Sequence, residues 1–191
     1  MNKVPRSAVV LVFASFMLLD NFLMENMDRW ALRHFWPDVL AIFLAQYFPY
    51  VLGAFFALFL LVNFRRYWWM FLEGVCASAI AWLSVGAFGW LFARPRPFVS
   101  GSFRIVLPYP ATSPSFPSTH AAVFFALATV VFLYNKKAGL FFFLGAIIIG
   151  LARVFCGLHW LSDVLAGMVL GTFLGFLAHF LPRRLWRLGR A

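Results

Sequence analysis

The chain has 191 residues, of which 64% are hydrophobic and only 12% charged. Mean hydropathy is +0.88. A soluble domain is nearer half apolar and a quarter charged, so composition excludes an ordinary water-soluble domain and defines an integral membrane protein. The net charge of +10 does not indicate nucleic acid, because the cations fall in pairs and short clusters at the ends of apolar runs, where lipid headgroups lie.

Taken in chain order, the first apolar run is Ala8 to Leu19, which reads as a span if it continues past Asp20 to Met24 and as an interfacial helix if it does not. A cleavable signal peptide is disfavoured, since no small-x-small cleavage site precedes a polar start. Val39 to Val62 and Tyr67 to Ala93 are each long enough to cross a bilayer, and Glu73 is the single acid in the second. Ser118 to Tyr134, Ala138 to Ala152 and Trp160 to Leu181 follow, the middle one short unless it runs past Arg153 toward Leu158. The fold class is therefore all-α: a polytopic membrane helix bundle of about six transmembrane helices, or five if the first segment is interfacial. Residues 1–191 are read as a single transmembrane domain.

Orientation follows from charge. If successive spans pair as hairpins, Arg65 and Arg66, Lys136 and Lys137, and Arg183, Arg184, Arg187 and Arg190 fall on one side, which the positive-inside rule makes cytoplasmic. Lys3 and Arg6 join them in the six-span arrangement. Three polar clusters then emerge on the opposite, extracytoplasmic face: Arg94-Pro95-Arg96-Pro97, Pro117-Ser118-Thr119-His120, and Arg153 with His159 and Asp163.

Each cluster suits phosphoryl transfer, which needs cationic clamps, a nucleophile and an acid for the leaving oxygen. The prolines of Arg-Pro-Arg-Pro hold the backbone extended and fix where the guanidiniums project. Ser118 sits where an N-cap belongs, and the helix end behind it offers free N–H groups to a phosphate, with His120 in the first turn. His159 and Asp163 are four apart, so on a helix they share a face and the carboxylate can accept the imidazole Nδ1 proton, leaving Nε2 to attack. Arg153, near the end of an apolar run, is costly unless it faces a polar cavity or an anion.

Arg96-Pro97, then Pro117-Ser118-x-His120, then Arg153-x5-His159-x3-Asp163 resemble the motifs of the membrane-bound type 2 phosphatidic acid phosphatase family, over about residues 35–182 and in order. The resemblance implies that His159 is the nucleophile and forms a phosphohistidine, that Asp163 orients it, and that His120 protonates the leaving oxygen. It assigns Arg96, Ser118, Thr119 and Arg153 to the phosphoryl oxygens and implies no metal and no cofactor. Two positions depart from the family pattern. Gly89 stands where the first motif has lysine, and Ala152 where the third has serine. Arg94 or Arg104 is expected to replace the lysine, so that Arg94→Ala or Arg104→Ala lowers activity while Gly89→Lys raises it or leaves it unchanged.

The loop 98–116 and the run Phe43-Leu44-Ala45-Gln46-Tyr47 are similar to the undecaprenyl-diphosphate phosphatase branch. The implied function is a lipid phosphatase of the cell inner (plasma) membrane with its site on the extracytoplasmic side, converting undecaprenyl diphosphate to undecaprenyl phosphate. The alternatives are phosphatidylglycerophosphate or phosphatidic acid as substrate, or a catalytically impaired protein that binds or transports lipid phosphates. Its implied partners are the bilayer and the lipid phosphate. Gly167, Gly171 and Gly175, four apart, mark a face for close helix approach, read as internal packing with a homodimer seam as the other use. Cys76 and Cys156 are packing residues. His34 and His179 are expected at the interface, and Glu73 at the interface or paired with Arg65 or Arg66.

Overall fold

A computed structural model describes residues 6–100 and 103–188, with side chains described for 17–100 and 103–181. Lys3 and Arg190 lie outside the described residues, as do the side chains of Arg6, Arg183, Arg184 and Arg187. Among the described residues the regular elements are all helical, with no strand: α1 (Arg6–Asp28), α2 (Phe35–Ile42), a π-helical turn (Phe43–Tyr47), α3 (Phe48–Phe92), α4 (Thr119–Tyr134), α5 (Lys136–Phe155) and α6 (Leu161–Leu188).

The 45 residues of α3 are two helices joined at a break, where Asn63 and Tyr67 leave helical geometry. The Phe56 and Phe71 rings lie 6.4 Å apart, whereas fifteen residues of straight helix would separate them by roughly 22 Å. The chain therefore doubles back at the break, giving the hairpin that Arg65 and Arg66 predict. Three stretches among the described residues are apolar and long enough to cross a membrane: 35–92, Lys136–Phe155 and Leu161–Leu181. The first crosses twice because of the reversal. α4 adds a shorter apolar helix, and α1 packs on α5 and α6.

The fourth helix is the axis of the bundle, packed on α3, α5 and α6. Ala121, Ala122 and the run from Phe125 to Val131 are buried, so α4 is apolar around its circumference yet meets little lipid. Its 16 residues rise only about 24 Å, less than the hydrocarbon thickness. That length suffices because its N-terminus ends at the polar site rather than at the headgroups. The outer surface carries large apolar side chains such as Trp90, Leu61 and Val62, between 75% and 85% exposed; in a membrane protein this is the lipid-facing surface.

The glycine stripe of α6 faces α4. A Cβ at Gly167, Gly171 or Gly175 would fall within 2.1 to 2.7 Å of the carbonyl oxygens of Ser118, Ala122 and Ala126. The stripe is thus spent on internal packing, and the homodimer seam has no part in it. Asn135 ends α4 and starts α5, its side chain accepting from the Ala138 N–H at 3.1 Å, and it donates to Tyr67 Oη at 3.4 Å. This bond sets the α3 break beside the α4–α5 turn, bringing Arg65, Arg66, Lys136 and Lys137 to one end of the bundle.

The expectation for Glu73 at that end is sharpened: it pairs with Tyr134 Oη at 3.0 Å and His179 Nδ1 at 2.9 Å.

Candidate active site

All three polar clusters meet at the other end. Helix α3 stops at Ala93, in the left-handed region, just before the two Arg-Pro pairs that cannot continue it. Arg96 is 4% exposed. Its Nε donates to Ser113 O and Ser113 Oγ, its Nη2 to Pro114 O at 3.1 Å, and its Nη1 to Leu158 O at 2.7 Å. The same Nη1 lies 3.3 Å from Nε2 of His159. Burial lowers the Arg96 pKa, against the attraction of Tyr109 and Asp163.

His159 lies in the turn between α5 and α6, not on a helix, which corrects the shared-face expectation. Its ring is instead placed by one hydrogen bond. Nδ1 donates to Ser115 O at 2.9 Å, and Asp163 Oδ2 stands 3.7 Å away, too far for the hydrogen bond expected of it. That oxygen accepts from Ser115 Oγ and from the Trp160 N–H at 2.9 Å, the second being a capping-box contact at the start of α6. The Ser115 carbonyl therefore fixes the tautomer, and Asp163 holds Ser115. With Nδ1 protonated, the Nε2 lone pair is free for chemistry. Burial, helped by the Arg153 and Arg96 charges and opposed by Asp163, lowers the His159 pKa to about 4. Such a shift favours the neutral ring at physiological pH.

Arg153, in the last turn of α5, is 3% exposed. Its Nη1 donates to Ala45 O at 3.2 Å and lies 3.5 Å from His120 Nε2. The Ala45 carbonyl belongs to the π-helical turn, a register change that frees backbone acceptors. Ser118 occupies the N-cap position of α4 but makes no capping bond. Its Oγ and the Nε of Arg153 are the buried side-chain polar atoms without a partner among the described residues. Buried polar groups in folded proteins are nearly always bonded, and exceptions mark functional positions.

Tyr109 joins the two halves. Its ring lies 4.3 Å from the Arg96 guanidinium and 5.8 Å from that of Arg153. Beside it a groove of about 320 Å³ runs along α3, lined by Trp82, Leu83, Gly86, Gly89, Arg96 and Thr119 among others. Trp82 and Leu83 are more than 60% exposed, so the groove opens sideways toward lipid with Arg96 at its inner end.

Neither expected lysine substitute points into this space. Arg94 donates through Nη1 to Asp163 Oδ1 at 2.7 Å and through Nη2 to Asp20 Oδ2 at 2.9 Å. Arg104 pairs with Asp28 at 3.4 Å near the surface. At Gly89 a Cβ would stand 2.9 Å from Pro114 Cγ, so Gly89→Lys would displace the segment whose carbonyl holds Arg96. Sequence reasoning also missed Tyr109, Ser115, Asp20 and Ser162. Asp20 carried the one usable signal, an acid inside an apolar run. The Cys156 thiol, pushed up to about 12 by burial, is inert packing. No group of three or more His, Cys, Asp or Glu side chains with metal-binding geometry occurs among the described residues.

A helical membrane bundle that gathers two histidines and two arginines at one end defines an integral membrane protein with a phosphate-type site. Residues 67–187 match the PAP2 superfamily, and the chain belongs to it. It is 30% identical over 130 residues to the bacitracin transport permease protein BcrC of Bacillus licheniformis, covering 68% of this chain and 64% of that protein. Over 87 residues it is 31% identical to the undecaprenyl-diphosphatase BcrC of Bacillus subtilis strain 168, 46% of this chain and 45% of that one. The matches thus span less than two-thirds of either relative's length. The crystal structure of a transmembrane PAP2 type phosphatidylglycerolphosphate phosphatase from Bacillus subtilis has the same fold, with a TM-score of 0.60 and 21% identity over 92% of this chain and 96% of that one.

Proposed function

We propose that this protein is a lipid phosphatase that hydrolyses undecaprenyl diphosphate to undecaprenyl phosphate through a phosphohistidine, at the extracytoplasmic face of the plasma membrane. The observation that carries the reading is the pair of buried donors without a partner among the described residues, Ser118 Oγ and Arg153 Nε. They flank the two histidines, where phosphoryl oxygens supply the missing acceptors. Thr119 and His120 at the start of α4 add backbone N–H groups.

In this mechanism His159 Nε2 attacks the terminal phosphorus and a P–N bond forms. The bridging P–O bond between the terminal phosphorus and the lipid-borne phosphate breaks, its electron pair goes to the bridging oxygen, and His120, protonated when the anionic substrate binds, gives that oxygen a proton. Nδ1–H stays on the ring, bonded to the Ser115 carbonyl, while the imidazole gains positive charge beside Asp163. Water then attacks phosphorus, His120 takes its proton, and the P–N bond breaks to restore neutral His159. Arg96 and Arg153 hold the equatorial oxygens, where charge stabilisation of the transition state is the dominant contribution in such reactions.

Support for the substrate comes from the name of the Bacillus subtilis relative and from the groove, whose apolar wall suits a lipid tail with its phosphate at Arg96. Orientation rests on Arg65, Arg66, Lys136 and Lys137 at the opposite end. The test is phosphate release by detergent-purified protein from undecaprenyl diphosphate, phosphatidylglycerophosphate and phosphatidic acid, each against His159→Ala. Undecaprenyl diphosphate is expected to turn over fastest. Release no greater than that of His159→Ala on all three would remove the hydrolase reading and leave lipid-phosphate binding.

A further inference from the structure

Behind Asp163 lies a second layer of buried charge that the mechanism above does not use. Asp20, on α1 and 2% exposed, precedes the stretch that matches the superfamily. Its Oδ1 accepts from the Ser162 N–H at 2.9 Å. Its Oδ2 accepts from Ser162 Oγ and from Arg94 Nη2 at 2.9 Å. Arg94 in turn donates through Nη1 to Asp163 Oδ1 and to Ser162 Oγ, both at 2.7 Å. A continuous row, Asp20, Arg94, Asp163, Ser115, His159, therefore connects α1 to the imidazole.

We propose that Asp20 and Arg94 are positioning residues: Asp20 balances the charge of Arg94 so that Asp163 keeps its negative charge for the imidazole while Arg94 holds its carboxylate in place. Arg94 bonded to Asp163 alone would cancel it. With Asp20 on the other side of the guanidinium, the three groups carry one net negative charge. That charge matters most when His159 is phosphorylated, since attack through Nε2 leaves the ring cationic, so its loss affects turnover more than substrate binding. A purely structural tie between α1 and α6 would need neither the charge of Asp20 nor its balance with Arg94.

The inference rests on the phosphatase reading, and the experiment separates the two. Phosphate release is measured for wild type, His159→Ala, Asp20→Asn, Arg94→Met and Asp20→Asn/Arg94→Met on the three lipids named above, with folding checked by thermal unfolding in detergent. Asp20→Asn is expected to lower kcat tenfold to a hundredfold with KM within threefold. The double variant, which removes both charges together, is expected to recover at least threefold in kcat over Asp20→Asn. Wild type no better than His159→Ala sinks the phosphatase reading itself. An active wild type with Asp20→Asn within threefold of it in kcat, or a double variant no better than Asp20→Asn, leaves that reading standing and overturns the role of Asp20. If Asp20→Asn does not fold, Ser162→Ala replaces it. A several-fold fall in kcat at unchanged KM is then expected, and wild-type kcat refutes the proposal.

Discussion

The two ends of this bundle each bury polar side chains among the same helices, and they differ in how those side chains are satisfied. At the basic end, Glu73 is bonded to Tyr134 and His179 across α3, α4 and α6. At the other, Ser118 Oγ and Arg153 Nε have no partner among the described residues, and Arg96 and Arg153 stand against histidines rather than carboxylates. A polar cluster whose members bond to one another contributes to packing, whereas one that leaves donors open retains capacity for an anion. The contrast lies in the bonding, since both ends contain histidine and an acid.

The sharpest way to break this contrast is to protonate the nucleophile. Only the neutral ring of His159 can attack, and with a pKa lowered to about 4 it stays neutral as pH falls through 6.5. The acid limb of kcat/KM, which reports the ligand-free protein, is expected near 4, with activity lost below it. Asp163 raises the His159 pKa, so Asp163→Asn is expected to shift the limb further down while lowering kcat. A wild-type limb assigned to His159 at 6.5, with an unmoved limb in the variant, would contradict the buried, desolvated ring.

Next in size are the open donors. Arg153→Ala is expected to cost about 10²-fold to 10³-fold in kcat, in line with removing one oxyanion donor, and Ser118→Ala about tenfold. Both are measured by phosphate release at saturating lipid. An Arg153→Ala enzyme within threefold of wild type would mean that the unpaired Nε is not where the phosphoryl oxygen sits. Gly89→Lys follows, with about a tenfold loss in place of the raised or unchanged activity that the sequence alone suggests, because its Cβ meets Pro114. Higher activity in that variant would show that the segment from Pro114 to Phe116 yields readily and that the motif lysine was the missing element.

How far the sequence reached depends on the kind of signal each residue gives. The spans were legible because lipid imposes long uncharged runs, and the reversal at Asn63 because Arg65 and Arg66 interrupt one. That Arg96, Ser118, His120, Arg153, His159 and Asp163 gather at one end was legible because the charge bias put their three clusters on one face of the bundle. Tyr109 and Ser115 were not, since both sit in a loop whose path has no periodicity. Arg94 was misread for a physical reason: a cation two residues from Arg96 looks like a second phosphate ligand until Asp20, 74 residues earlier, is seen to hold it. The sequence likewise placed Arg104 beside the phosphate. Its pairing with Asp28, at 43% and 24% side-chain exposure, is that of a surface ion pair. Arg104→Ala is therefore expected to leave kcat within about twofold, and a tenfold loss would restore it as the lysine substitute.

The smallest expected effect is at the opposite end. Glu73→Gln keeps the size of the side chain and the bond to Tyr134 but removes the charge facing His179, which lies 2.9 Å away. If that cluster only packs α3 against α4 and α6, kcat and KM remain within about twofold while the apparent Tm in detergent falls by a few degrees, as expected for losing about 1 kcal/mol. His179→Ala should do the same, and combining the two should cost less than the sum of the single changes because they remove one shared interaction. If Glu73→Gln instead lowers kcat tenfold with Tm unchanged, that cluster takes part in turnover from the far side of the bundle, and the distinction between a packed end and a working end fails.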